Sequence, residues 1–254
     1  MLFGYSALPE YCAAAKEIGY NYVELPGKVI AAMSDKEFSA FADKLPLPAL
    51  GMNAFCPPTV VIAGPGYDIQ FARQYVKGLA QRAAVLGIKM VGIGSPMSRI
   101  LPDGFDTALA HTQIKEFLLE TAYIFDQYGI YVCLEALATC YCNTVNTLKE
   151  ATDIVRDLNC PNIQVVLDFY NMEHMGEEDI SDAPFIHVHT SDDDGSPSLR
   201  SYLKPEKREI HQKRLRQLAN AGYDGGVTLE LDVPFDPRRA AYSLDILRQA
   251  IREE

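Results

Sequence analysis

The chain has little positive charge. Its 254 residues include 23 lysines and arginines against 34 aspartates and glutamates, which gives a formal net charge of −11 at pH 7. Proteins that bind nucleic acid normally gather lysine and arginine on one face to meet the phosphates. We therefore expect no nucleic-acid partner, and the composition fits an acidic enzyme that acts on a small molecule.

Several other features are missing. No apolar run approaches the roughly 20 residues of a membrane span, and the stretch MLFGYSALPE lacks the basic start and apolar core of an export signal. The six cysteines lie mostly in apolar or helical contexts and not at the spacings of a disulfide framework. No linker or charge block divides the chain. We expect a reduced, cytoplasmic protein without a membrane partner, and one domain over residues 1–254.

What the chain does contain is an alternation of short apolar runs with stretches of helical period, which is typical of parallel strands joined by crossover helices. Eight strands are predicted, at residues 2–5, 21–25, 48–55, 89–94, 131–135, 163–168, 185–189 and 226–230. Helices are predicted near 8–18, 35–45, 68–86, 107–128, 146–159, 206–221 and 237–252. Glycines that accept a left-handed conformation close four of them, at Gly19, Gly87, Gly129 and Gly222. Repetition of this unit predicts an α/β fold, a single-domain (β/α)8 TIM barrel.

Four of the predicted strands end on a side chain that can bind a metal. VCLE, IQVVLD and VTLE each finish an apolar run with a carboxylate, and FIHVHT places a histidine near the end of a fourth run. The residues are Glu135, Asp168, Glu230 and His189. A single strand-end acid is equally well explained as an N-cap or a solvated loop residue. Because the carboxyl ends of barrel strands meet at one rim, the four together predict a site for a divalent ion there.

Other polar residues near strand ends give weaker indications. Glu24, in NYVELP, is a fifth strand-end acid, for which substrate contact and a purely structural role are equally good interpretations. We expect His187 to point to the opposite face of its strand from His189 and to pack behind it. The acidic run SDDDG, at 191–195, is typical of a solvated turn, although one of its acids is close enough in sequence to hold a ligand.

The remaining histidines and one cysteine pair are secondary candidates. His174 is placed in a loop over the site, whereas His111 and His211 are predicted to be surface residues of helices. Cys140 and Cys142 form a C-x-C pair, a spacing that can bind soft metals. Because no second pair accompanies it, we interpret the motif equally well as two small residues in a loop.

Five segments occur in order over nearly the whole chain: GYNYVEL, VCLEAL followed by NTVNTLKEA, VVLDFYNM, IHVHTSD and AGYDGGVTLEL. They resemble the sugar isomerase/epimerase superfamily of xylose isomerase-like TIM barrels, nearest to the ketose 3-epimerase and hydroxypyruvate isomerase branch. The resemblance implies a divalent ion, Mn²⁺ ahead of Mg²⁺, Co²⁺ or Zn²⁺, held by Glu135, Asp168, His189 and Glu230. It also implies that Glu135 and Glu230 move the substrate proton.

The substrate-facing residues depart from the family pattern. Arg200, after the His189 strand, resembles the family's substrate-binding arginine, although the separation is longer than usual. Asn171 stands where the epimerases usually have a histidine, and Tyr141 stands where they usually have an acid. We expect Tyr141, Asn171 and Arg200 to bind substrate, with neutral hydrogen bonds at the first two, and we expect poor activity on free ketohexoses.

These features predict a metal-dependent isomerase or epimerase of a small sugar, ketose or related polyol carbonyl compound, with proton transfer through a metal-bound enediolate. A lyase of the same superfamily, dehydrating a cyclitol or a dehydroshikimate-like compound, needs the same metal and base. An apurinic endonuclease-like hydrolase is a weaker alternative, because its zinc cluster takes more histidines than this five-histidine chain readily supplies. A non-catalytic sugar-binding barrel is a further alternative.

The resemblance also allows a homo-oligomer, with apolar residues of the 96–105 loop as candidate contacts.

Overall fold

Eight parallel strands close into a barrel in this computed structural model, which describes residues 1–252. In chain order the strands are β1 (Leu2–Ser6), β2 (Tyr22–Pro26), β3 (Ala49–Asn53), β4 (Met90–Ile93), β5 (Tyr131–Glu135), β6 (Ile163–Asp168), β7 (Phe185–Thr190), β8 (Asp192–Asp193), β9 (Arg200–Ser201) and β10 (Gly226–Leu229). The barrel strands follow chain order around the sheet, and β10 pairs with β1 to close it. β8 and β9 form a separate antiparallel ribbon. The predicted TIM barrel is confirmed; residues 253–254 of the predicted domain lie outside the described residues.

Helices surround the barrel. They are α1 (Cys12–Ile18), α2 (Gly27–Ala32), α3 (Asp35–Ala42), α4 (Ile69–Leu86), α5 (Thr107–Asp126), α6 (Leu148–Leu158), α7 (Phe169–Met175), α8 (Arg208–Asn220) and α9 (Pro237–Arg252). The sequence did not predict α2 and α7, which have 6 and 7 residues and are too short to show a helical period. Within residues 1–252, none of the helices is both long and apolar enough to cross a membrane.

Local sequence explains where the crossover helices begin and end. The Asp68 and Asp106 side chains accept backbone N–H groups at the starts of α4 and α5, and a capping box between Thr147 and Glu150 begins α6. The four glycines predicted to follow helices all have positive φ, between 64° and 105°. Only glycine adopts that backbone conformation at little cost. The helices therefore return the chain to the sheet at the predicted points.

The barrel interior is polar near its centre and is filled tightly. Tyr22 is fully buried inside it, and its hydroxyl lies 2.8 Å from the Thr228 hydroxyl. A Cβ atom at Gly4 or at Gly226 would overlap the Tyr22 ring, so those two positions must stay small. Fully buried Glu24 lies in the same interior, beside Gly51 of the next strand. These interior side chains pack beneath the residues at the carboxyl ends of the strands.

Candidate metal centre

The four predicted ligands come together at the carboxyl ends of β5, β6, β7 and β10. One ligand atom from each of Glu135, Asp168, His189 and Glu230 lies within 4.8 Å of the others. The strand register explains the meeting, because His189 pairs with Asp168 on one side and with Thr228 on the other. Glu230 is two residues beyond Thr228 and so points to the same face.

Asp168 combines two interactions. Its Oδ1 accepts the backbone N–H of Tyr170 at 2.7 Å and that of Asn171 at 3.4 Å, which caps α7. Its Oδ2 accepts from the Asn171 amide at 2.8 Å and lies 2.7 Å from Nη2 of Arg200. The N-cap and the ligand interpretations of this acid are therefore compatible, because each uses a different oxygen.

His189 is fully buried, and its two ring nitrogens have different neighbours. Its Nε2 lies 3.0 and 3.1 Å from the two oxygens of Glu24. Its Nδ1 lies 3.5 Å from Oε1 of Glu135 and 3.3 Å from Oε2 of Glu230. Among the described residues, His189 Nδ1 has no hydrogen-bond partner. A buried imidazole nitrogen left without a partner beside two carboxylates fits a cation held between them.

Arg200 supplies positive charge to the same group of carboxylates. Its Nη2 lies 2.7 Å from Asp168 and 3.4 Å from Glu135, and its Nη1 contacts Glu230. The residue is only 5% exposed. The arginine predicted to bind substrate is therefore at the site, directed at the acids themselves.

Hydrogen bonds hold the Asn171 side chain at both its amide oxygen and its amide nitrogen. Its Oδ1 accepts the Ala138 backbone N–H at 3.0 Å, while its Nδ2 donates to Asp168 at 2.8 Å and to Glu135 at 3.4 Å. The NH₂ group of the amide thus faces the acids, and the backbone of the loop after β5 fixes the orientation of the amide.

Tyr141 borders the site through Arg200. The guanidinium carbon lies 5.3 Å from the centre of the Tyr141 ring and 5.6 Å from that of Tyr170, which are cation–π distances. The Tyr141 hydroxyl donates to Asp232 at 3.0 Å, and Asp232 also accepts the Arg200 backbone N–H at 3.1 Å. Tyr141 and Asp232 together hold the segment that carries the arginine.

Burial and mutual charge shift the pKa values at the site. Burial raises the pKa of Glu135, but the nearby imidazole of His189 and the charge of Arg200 lower it by more, to about 2. Burial also raises the pKa of Asp168. The positive charge of Arg200 lowers this pKa and the negative charge of Glu135 raises it, and the net effect is a raised pKa. Burial lowers the pKa of His189, but the carboxylates of Glu24 and Glu135 raise it well above its ordinary value. A cation entering the site must therefore displace a proton from His189.

Two residues that touch this site were not predicted from sequence. Asn53, the last residue of β3, donates to Oε1 of Glu230 at 2.8 Å and to Ser6 at 2.7 Å. Arg99 is fully buried and donates to the main-chain oxygen of Glu135 at 2.7 Å. Asn53 lies two residues inside the predicted strand 48–55, so the sequence did not place it at a strand end. The loop around Arg99 has no pattern that predicts the burial of that residue.

The expectation for His187 was wrong. Residues two apart on a strand share a face, so His187 and His189 both point into the barrel. Nε2 of His187 lies 2.9 Å from Oε2 of Glu24, directly below the Glu24–His189 contact. Glu24 is fully buried between the two rings, which supports its structural interpretation over contact with substrate.

The expectations for two other polar segments also need correction. His211 is 1% exposed, not a surface residue, and its Nε2 lies 3.0 Å from Oδ2 of Asp192. Asp192, from the acidic run expected to be a solvated turn, is fully buried and also lies 3.3 Å from Nζ of Lys207. His174 lies in α7, not in a loop, with Nδ1 2.9 Å from the Tyr170 carbonyl oxygen.

The C-x-C pair is not part of a candidate ligand cluster among the described residues. The Cys140 thiol contacts the Pro197 carbonyl oxygen at 2.9 Å, and the Cys142 thiol contacts that of Thr144 at 3.4 Å. The two sulfur atoms therefore have separate environments, as expected for two small residues in a loop.

A family model described as the xylose isomerase-like TIM barrel matches residues 12–250. This chain belongs to that family. Among curated relatives of this xylose isomerase-like barrel, an inosose isomerase of Bacillus licheniformis is 27% identical over 175 residues, which cover 62% of the chain and 59% of the relative. The chain thus matches less than two thirds of that relative's length.

Solved structures of similar shape share the fold. A D-psicose 3-epimerase from Clostridium cellulolyticum H10, solved with D-tagatose, has a TM-score of 0.78 at 19% identity, covering 99% of both chains. A structure of the IolI protein with a zinc atom has a TM-score of 0.68 at 18% identity, covering 100% of this chain and 97% of that one. At these identities the likeness establishes the barrel architecture.

Proposed function

We propose that this xylose isomerase-like barrel is a divalent-metal-dependent enzyme that isomerises or epimerises a small sugar, ketose or related polyol carbonyl compound. One observation carries the proposal: four ligand-type side chains from four different strands converge within 4.8 Å. Three carboxylates and one imidazole suit Mn²⁺, Mg²⁺, Co²⁺ or Zn²⁺, and Mn²⁺ is our first choice because the set is rich in oxygen.

The proposed ligands are Glu135, Asp168, His189 and Glu230. The buried Nδ1 of His189 supports this set, because it has no hydrogen-bond partner among the described residues and lies 3.3 Å from Oε2 of Glu230 and 3.5 Å from Oε1 of Glu135. When bound, a divalent ion would polarise the substrate carbonyl and the adjacent hydroxyl, and would so acidify the C–H bond beside the carbonyl.

Glu135 and Glu230 are the proposed proton-transfer pair. One carboxylate removes the proton from the carbon beside the carbonyl, and the other gives a proton to the opposite face of that carbon, which inverts it. If the proton goes to the neighbouring carbon, and the hydroxyl proton moves to the former carbonyl oxygen, the product is an isomer. The lowered pKa of Glu135 favours its ionised form, which is the form that accepts a proton.

Arg200, Asn171 and Tyr141 are the proposed substrate-orienting residues. Asn171 and Tyr141 carry neutral donors, which in this structure point to the acids of the site and to Asp232. The Tyr141 and Tyr170 rings cover the Arg200 guanidinium. Such a site is expected to recognise hydroxyl groups by hydrogen bonding. The relative named inosose isomerase favours a keto-cyclitol as the first substrate to test, ahead of free ketohexoses.

The test is a substrate panel with the Mn²⁺-loaded protein in deuterium oxide, followed by proton NMR. The panel contains inososes, D-fructose, D-tagatose and their phosphates. We expect an inosose to give an isomer of unchanged mass apart from exchanged deuterium. Loss of water would replace this proposal with the lyase alternative, and absence of any solvent exchange across the panel would count against proton transfer.

A further inference from the structure

Glu24 lies below the proposed ligands and takes no part in the proton transfer described above. It is 0% exposed at the middle of β2, and its partners are the rings of His187 and His189. We propose that Glu24 is a positioning residue that holds His189 with Nδ1 directed at the ion, while His187 holds Glu24. This inference rests on the proposed function, because it concerns the same ion.

The donor and acceptor chemistry fixes which nitrogen of His189 is free. An ionised carboxylate only accepts hydrogen bonds, so His189 must donate Nε2–H to Glu24 across 3.0 Å. The neutral ring then carries its lone pair on Nδ1, the atom 3.3 Å from Glu230 and 3.5 Å from Glu135. Hydrogen bonds from a ligating imidazole to a carboxylate set the ring tautomer and orientation in this way.

Glu24 has little freedom to leave this position. His187 donates to its Oε2 across 2.9 Å, and the same His187 nitrogen lies 3.1 Å from the Thr228 hydroxyl. On the other side, a Cβ atom at Gly51 would lie 3.1 Å from both Cγ and Cδ of Glu24, so the space is filled to contact. The carboxylate is thus held by two hydrogen-bond donors and by the neighbouring strand.

Glu24, His187 and His189 are themselves a set that could hold an ion. Direct hydrogen bonding explains them better, because the nitrogen–oxygen distances of 2.9 to 3.1 Å pair every one of their facing atoms. At the rim, by contrast, His189 Nδ1 has no hydrogen-bond partner among the described residues, although carboxylates of Glu135 and Glu230 lie beside it. We therefore assign one ion to the rim and none to the interior.

The experiment compares Glu24→Gln with Asp192→Asn in the full-length protein. Gln is isosteric, but its NH₂ group would face an imidazole N–H, so one ring must change tautomer or turn away. Asp192 is an equally buried carboxylate that also bonds a histidine, His211, at 3.0 Å. Calorimetric titration with Zn²⁺ should show binding about 10- to 100-fold weaker in Glu24→Gln and unchanged in Asp192→Asn.

A second measurement uses the unaltered protein, so it does not depend on the folding of a variant. The chain has five histidines, and their ring ¹⁵N resonances in the Zn²⁺ complex report which nitrogen is metal-bound. We expect Nδ1 of His189 to be coordinated and Nε2 to carry a proton. Coordination through Nε2 would overturn the inference.

The outcomes separate this inference from the proposed function. If the unaltered protein binds no ion, both fail. If it binds one ion and Glu24→Gln binds it equally tightly, only the positioning role fails. Two ions in the unaltered protein, falling to one in Glu24→Gln, would show that the interior set is a second ion site and would overturn the hydrogen-bond assignment.

Discussion

Two clusters of ligand-type side chains share His189 and differ in how their charges are balanced. The interior cluster is Glu24, His187 and His189, and the rim cluster is Glu135, Asp168, His189 and Glu230. In the interior cluster one carboxylate accepts from two imidazoles, so each facing donor has an acceptor. In the rim cluster three carboxylates meet one imidazole, with Arg200 as the nearby cation.

The difference shows that residue types alone do not identify an ion site. Both clusters contain histidine and glutamate, and all of their members are buried except Glu230, which is partly exposed. The rim cluster has an excess of acceptors and leaves His189 Nδ1 without a hydrogen-bond partner among the described residues. In the interior cluster the facing nitrogen and oxygen atoms are hydrogen-bonded to one another. Burying uncompensated carboxylates is costly, so the cluster with excess negative charge is the one expected to bind a cation.

The largest expected effect is on catalysis, from Glu135→Gln or Glu230→Gln. Each change keeps an oxygen ligand but removes the base, so turnover on an identified substrate should fall by about 10²- to 10⁴-fold. Mn²⁺ affinity should fall much less. Glu37→Gln is the matched control, since Glu37 belongs to the α3 capping box, where Gln also serves. Near-normal turnover in Glu135→Gln would remove that residue from the proton-transfer pair.

Asp168→Asn should abolish most of the stabilisation that the ion gives. At 100 times its Kd, an ion that binds only the folded protein adds about 2.7 kcal/mol to the free energy of unfolding. Asn caps helices about as well as Asp, so α7 should remain formed. Thermal unfolding with and without Mn²⁺ checks the difference; an unchanged rise in Tm would mean that Asp168 acts as a cap and not as a ligand.

Gly94→Ala should lower the affinity of the rim cluster for Mn²⁺ without removing a ligand side chain. A Cβ atom at Gly94 would overlap Oε2 of Glu135, so the carboxylate must shift. Gly78→Ala is the control, because a Cβ there would meet no atom of the described residues within 4 Å outside its own helix backbone and chain neighbours. Since Gly78 is inside α4, this control should stabilise the protein by about 0.5 to 1 kcal/mol. Equal Mn²⁺ affinity in Gly94→Ala and the unaltered protein would argue against Glu135 as a ligand.

Affinity for the ion should rise with pH. The folded protein holds a proton on His189 because its pKa is raised, and that proton competes with the ion. Raising the pH removes the competitor, so the apparent affinity should rise by up to about tenfold per pH unit while His189 is protonated. Calorimetry across neutral pH measures the slope. His111→Gln, at a histidine outside both clusters, should show the same slope of affinity against pH. An ion affinity that does not change with pH in the unaltered protein would contradict a histidine ligand.

The smallest expected effect comes from Tyr141→Phe. The ring beside Arg200 remains, but the hydrogen bond to Asp232 is lost. A single hydrogen bond contributes about 0.5 to 1.5 kcal/mol, which corresponds to a loss in kcat/KM of up to about tenfold. Steady-state kinetics on the identified substrate measure it. A loss as large as that of Glu135→Gln would mean that Tyr141 takes part in proton transfer.

The fold was predictable because its signals are local. Apolar runs and closing glycines located all eight barrel strands, although the predicted 48–55 shortens to Ala49–Asn53. The rim cluster was found by the same reasoning, since each of its members lies at or next to the end of a strand. The two short helices were missed because 6 or 7 residues contain fewer than two turns.

The errors arose where contacts are distant in sequence. Buried His211 bonds Asp192, 19 residues away, and buried Arg99, in a loop, donates to the main-chain oxygen of Glu135 in β5. No periodicity reports such pairs. The error at His187 was different, because the two-residue period of a strand already places His187 and His189 on one face.

The most direct test of the central claim is anomalous diffraction from crystals of the protein grown with Mn²⁺. The account predicts one manganese peak per chain, at the rim cluster, with Nδ1 of His189 and the carboxylates of Glu135, Asp168 and Glu230 around it. Two results would contradict it: a peak between Glu24 and His187, or no peak within bonding distance of the four rim residues.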